Sequence, residues 1–144
     1  MNILNNYGLK GIDRSNPTDI HVIFIISGFC IKGIDQFSPI VFQSLKDNFH
    51  HDNSVLKCFY INRWNFQKED NLSYKDQKKI VIEQIKYHLN DIKNEFGDIS
   101  IYLYGIFESY GGKIGISIVY DIIKENIFNK LFIKNIIKHS FNCK

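Results

Sequence analysis

The residues with the strongest chemical character fall in one short run, Glu108-Ser109-Tyr110-Gly111-Gly112-Lys113. A β-branched and aromatic segment, Ile99 to Tyr104, leads into it, and an apolar helical pattern follows at once. On such a sharp strand-to-helix turn a serine Oγ is raised out of the sheet, and small neighbours let the backbone pass close to strand and helix. The chemistry this allows is acyl transfer, with Ser109 as nucleophile and Gly111 as the small residue that the turn requires. The helix N-terminus and the N–H of Tyr110 would hold the oxyanion. A second donor is expected from the loop after an earlier strand, where Phe29 or Cys30 stands. The base must come from a histidine, and the one histidine after Ser109 is His139. To serve, the tail that carries His139 has to return to the carboxyl edge of the sheet. Asp121 falls inside the apolar helix, a poor place from which to orient an imidazole. A phosphate-binding P-loop is excluded, since it needs Gly at Phe107 and Ser or Thr at Ile114.

The elements that must position these groups follow from hydrophobic pattern and punctuation. Ile20 to Ile26 is an apolar run without alternation, expected of a strand covered on both faces. It stops at Ser27-Gly28. Ser38-Pro39 reads as N-cap and first residue of a helix whose apolar stripe is Ile40, Val41, Leu45 and Phe49. After a polar loop, Val55 to Ile61 is a second strand, running into Arg63-Trp64. Ser73 and Asp76 form a capping pair for a long helix with Ile82, Ile85, Leu89, Ile92 and Phe96 on one face, closed by Gly97. A third strand, Ile99 to Tyr104, is closed by Gly105. A helix from about Gly112 is apolar nearly all round, which predicts burial on every side. The tail from Leu131 to Phe141 is either a fourth central strand or the end of a helix. Strand and helix alternate throughout, so the expected fold is α/β, three layers, with a mainly parallel sheet. Residues 1–18 read as an N-terminal arm or a loosely held extra strand, and residues 19–144 as one domain.

With that context, Glu108-Ser109-Tyr110-Gly111-Gly112-Lys113 resembles the nucleophile elbow of the α/β-hydrolase superfamily, and within it that of the serine carboxypeptidases. The motif there is Gly-Glu-Ser-Tyr-Gly-Gly, often followed by Lys. The likeness covers six residues in identity and residues 76 to 140 in order of elements. It implies a partial α/β-hydrolase core, an acyl-enzyme on Ser109, and a small ester or peptide substrate. It also implies that Glu108 helps recognise a peptide's terminal carboxylate. Three departures are visible: Phe107 stands where the family has its first Gly, no Gly-Gly-Pro-Gly segment follows the first strand, and few residues remain after the elbow for an acid and a histidine. The chain is therefore expected to hold the front half of such a core. A Ser-x-Gly-Gly turn also packs strand to helix in Rossmann-like scaffolds without catalysis. The alternative is thus an inactive relative that binds a partner or oligomerises through an open sheet edge near residues 132–137.

Composition limits the remaining classes. The chain has 144 residues, 44% of them hydrophobic, which favours one domain with a real core over a disulfide-stapled or disordered chain. There are 26 Ile, 16 Lys and 15 Asn, no Ala and two Arg. That skew toward A/T-rich codons makes Lys the default surface residue, so a net charge of +3 carries little meaning. The lysines are scattered among acids, and nucleic-acid binding is not expected. Cys30, Cys58 and Cys143 form no CxxC pair and read as reduced thiols. The five histidines show no zinc-ligand spacing, and neither metal nor cofactor is expected. No apolar run is long enough to span a bilayer, and Met1 to Asn6 shows no signal-peptide pattern, so the expected location is cytoplasmic.

Overall fold

A computed structural model describes residues 11–26, 37–61, 73–108, 110–125, 128 and 130–139 of the chain. Strand β1 (Asp19–Ile26) is followed by helix α1 (Phe37–Asp47), β2 (Ser54–Ile61), α2 (Tyr74–Phe96), β3 (Ser100–Glu108), α3 (Tyr110–Glu125) and β4 (Leu131–His139). The four strands form one sheet in the order β2-β1-β3-β4, and every pairing is parallel. Strand β1 is central and buried from Ile20 through Ile26, as its unbroken apolar run requires. Beyond β2, Ile12 makes an antiparallel bridge to Leu56, with both backbone N–H···O bonds at 2.9 Å.

Two apolar clusters lie on the two faces of the sheet. On one face, Val81, Ile85, Leu89 and Ile92 of α2 and Ile114, Ile118 and Ile122 of α3 meet Ile20, Val22, Phe24 and Ile26. On the other, Phe42 of α1 meets Ile23, Ile25, Leu56, Cys58, Tyr60 and Ile106. The architecture is a three-layer α/β sandwich with a parallel sheet. No helix among the described residues is long and apolar enough to cross a membrane.

Helix α2 begins as its capping pair predicts: Ser73 Oγ accepts from the Asp76 N–H at 3.1 Å. It ends at Gly97, which takes φ = 77° and donates its N–H to Lys93 O at 2.8 Å. Several expectations are corrected. Helix α1 starts at Phe37, so Ser38 lies inside it. Its buried residue is Phe42, while Ile40 is 67% exposed. On α2, Val81 is buried and Ile82 only packs against the core from its margin. Helix α3 is not buried all round: Ile116, Tyr120 and Ile123 are exposed. The tail is a strand, but it lies at the edge of the sheet rather than its centre.

The main correction concerns Gly105. It does not close β3; the strand continues through it to Glu108. The glycine makes room for Phe107, two residues on along the same face. A Cβ on Gly105 would lie 2.5 Å from Phe107 Cζ, and one on Gly115 of α3 would lie 2.6 Å from Phe107 Cδ2. The fully buried phenyl ring therefore occupies a slot floored by a strand glycine and roofed by a helix glycine. A ring confined from both sides has no room to retreat. Gly115→Ala is expected to destabilise the chain by about 1–3 kcal/mol through overpacking, measured by urea denaturation. Adding Phe107→Leu to Gly115→Ala is expected to cost less than the sum of the two single changes. Strict additivity would show that ring and glycine are not in conflict.

His88 on α2 stacks on Phe59 with centroids 3.9 Å apart, and burial pushes its pKa down to about 4. The unfolded chain takes up this proton below about pH 6.5, while the folded chain does so only near 4. Stability must therefore fall as pH drops through that window. His21 acts in the same direction, its pKa also lowered by burial. The urea midpoint is expected to fall between pH 7 and 5, and His88→Phe, which keeps a stacked ring, should reduce the fall. An undiminished fall in that variant would rule out His88 as a cause.

Candidate functional site

In an open parallel sheet, ligands gather where consecutive connections leave the carboxyl ends of the strands in opposite directions. Here that place is the boundary between β1 and β3. The register sets Ile26 opposite Phe107, so the two strands end level with each other. The chain leaving β1 reaches Phe29 after three residues. Phe29 and Cys30 themselves lie outside the described residues, as do Arg63, Trp64 and Cys143.

The connection between β3 and α3 is shorter than the sequence suggests. β3 ends at Glu108 and α3 begins at Tyr110, which leaves Ser109 as the single connecting residue; Ser109 is itself outside the described residues. Tyr110 and Gly111 are the first two residues of α3. Backbone N–H groups at these positions have no partner within the helix and face the positive end of its dipole. Lys113, one turn along, has its Nζ 5.0 Å from the centre of the Tyr74 ring. Glu108 has no solvent exposure.

His139 is the last residue of β4, and the β3–β4 register makes it the direct partner of Glu108. The tail thus returns to the carboxyl edge as a parallel strand beside the elbow. Asp121 forms an ion pair with Lys78 at 2.6 Å, tying α3 to α2 at a distance along the helix from Ser109. Among the described residues, no group of three or more His, Cys, Asp or Glu is arranged to hold a metal ion.

A second polar constellation, not anticipated from the sequence, lies at the opposite end of the sheet. His21 Nε2 is 3.1 Å from Asp19 Oδ1, and His21 Nδ1 is 2.8 Å from the Tyr104 hydroxyl. The carboxylate only accepts, so the neutral ring carries its proton on Nε2, and Nδ1 accepts from Tyr104. Ser54 Oγ donates to the same Asp19 oxygen. Desolvation is the largest cause of the lowered His21 pKa, and burial likewise raises that of Tyr104. The network joins the amino ends of β1 and β2 to Tyr104 in the middle of β3 and helps to fix their register. Its signal in the sequence was the period of two that puts Asp19 and His21 on one face, and Tyr102 and Tyr104 on one face. His21 also packs against Phe49 and His51.

No protein-family model, no curated protein and no solved structure matches the chain.

Proposed function

We propose that the protein is a serine hydrolase of the α/β-hydrolase type, cleaving an ester or peptide bond through an acyl-enzyme on Ser109. The observation that carries this reading is the single-residue connection between β3 and α3, with serine as that residue. A strand followed within one residue by a helix, with serine at that position, has the element order of a nucleophile elbow. Position in the sheet supports it further, since the elbow lies beside the end of β1, from which a second oxyanion donor would come.

In this reading Ser109 Oγ attacks the substrate carbonyl carbon as His139 takes the hydroxyl proton. The oxyanion is held by the N–H groups of Tyr110 and of the segment after β1, with Phe29 as donor. Collapse of the tetrahedral adduct expels the alcohol or amine, which takes the proton from His139. Water then attacks the acyl-enzyme, its proton passing to His139 and on to Ser109 Oγ as the acid leaves. Gly111 keeps the turn open, and the substitution of Phe107 for the first glycine of the elbow pattern is offset by Gly105 and Gly115.

One observation favours a second reading, an inactive relative that binds through its edge. β4 pairs with β3 alone among the described strands, and Phe132 on it is 47% exposed. A fluorophosphonate probe separates the two, because it reacts only with an activated serine, displacing fluoride. The folded wild-type chain is expected to label, and Ser109→Ala to lose all labelling. Folded wild-type protein that stays unlabelled overturns the hydrolase reading, and a dimer lost on Phe132→Lys would then support the second.

A further inference from the structure

At the amino end of β1 two imidazole rings lie against each other. His51, in the connection from α1 to β2, stacks on His21 with centroids 4.5 Å apart and planes 32° from parallel. Phe49, in the same connection, meets both rings, 5.1 Å from His21 and 4.7 Å from His51. The Thr18 N–H also ties this connection to the sheet, donating to Asn53 O at 2.8 Å. His21 is buried, whereas His51 is exposed.

Every element packed against His21 suits a neutral ring and opposes a charged one. On β1, Asp19 Oδ1 already accepts from His21 and from Ser54 Oγ of β2, and Oδ2 from the Thr18 hydroxyl at 3.4 Å. On β3, the Tyr104 hydroxyl donates to Nδ1, and the Tyr102 ring lies 5.1 Å away. On β4, Lys134 is the residue inserted where the β3–β4 register shifts, and its Nζ lies 4.8 Å from the centre of that Tyr102 ring. A proton on Nδ1 would face the Tyr104 donor, which must then turn and find another acceptor. Burial opposes the imidazolium most, and the charges of His51 and Lys134 add to it against the pull of Asp19.

We propose that the His21–His51 stack is an acid-released latch: on acidification the connection from Phe49 to Asn53 swings off β1 while the rest of the sheet stays folded. Opening lays Asp19, His21 and Ser54 bare to water, and it does not depend on the hydrolase reading. The open ring takes up a proton below about pH 6.5, while the closed ring resists it. The opening equilibrium must therefore rise about tenfold for each unit of pH below that value, until the closed ring also titrates.

The test is native-state hydrogen exchange followed by NMR on the full chain from pH 7.5 to 5, corrected for intrinsic exchange. The amides of Thr18 and Ser54, which donate to Asn53 O and His51 O, report the latch. Those of Leu89 and Ile92, buried on α2, report unfolding of the whole chain. Protection at Thr18 and Ser54 is expected to fall about tenfold per pH unit below 6.5, with Leu89 and Ile92 still far better protected. His51→Phe, which keeps a ring in the stack without its charge, should reduce the fall, and His21→Phe should abolish it. Protection unchanged between pH 7 and 5 overturns the proposal. So does a loss at Thr18 and Ser54 that merely tracks Leu89 and Ile92, which is global unfolding, or one undiminished in His51→Phe. If His21→Phe does not fold, the wild-type profile and His51→Phe decide.

Discussion

The parallel pairing of β1 with β3 is the constraint on which the rest of the structure depends. Both strands are sealed by helices, and their ladder runs unbroken from Asp19 with Ser100 to Ile26 with Phe107. A one-residue slip would turn every side chain of one strand to the wrong face and separate both apolar clusters from their helices. It would also break the Tyr104–His21–Asp19 network at the amino end of β1, because those residues meet only in this register. The same register makes the two strands end together. The connections that leave β1 and β3 therefore begin side by side.

Phe107 stands where the elbow pattern that this segment resembles has its first glycine. That glycine lets a strand pass close beneath the helix that follows. Here the bulk points inward, and the clearance comes from Gly105, two residues earlier, and Gly115, one turn into α3. The ring contributes buried apolar area where a glycine would contribute none, worth about 1.5–3 kcal/mol. The solution changes the strand–helix packing while leaving the single-residue connection at Ser109. The departure from that pattern is thus met by a local repacking of the Phe107 ring between Gly105 and Gly115.

How far this was legible in the sequence depends on the range of the interaction. The capping of α2 by Ser73 and Gly97, the covered strand from Ile20 to Ile26 and the strand–turn–helix around Ser109 are local, and local pattern predicted them. Helix α3 was misjudged because the composition is skewed: where Ile fills surface positions such as Ile116 and Ile123, apolar periodicity no longer separates inside from outside. Gly105 was taken for a strand end because its purpose is set by a ring two residues on and a helix ten residues on. Ile40 and Phe42 exchanged roles for a similar reason, since the orientation of a short helix is fixed by what it packs against. The Asp19–His21–Tyr104 network and the position of His139 needed the register, which no single strand encodes.

The bulge at Lys134 also bears on which reading of the protein is physically coherent. An edge strand that recruits partners works best flat and regular, with an unbroken row of hydrogen-bonding groups. β4 is interrupted near its middle, and Lys134 reaches over the Tyr102 ring at 4.8 Å. Bulges and lysines are the devices by which edges are kept from pairing. A strand evolved as a docking template would have little use for either, and the regular register would have gained a Glu108–Lys138 pair as well. The irregularity makes sense if the end of the strand matters more than its edge. One inserted residue discourages edge-to-edge contact and, in the same step, sets His139 opposite Glu108 at the end of β3.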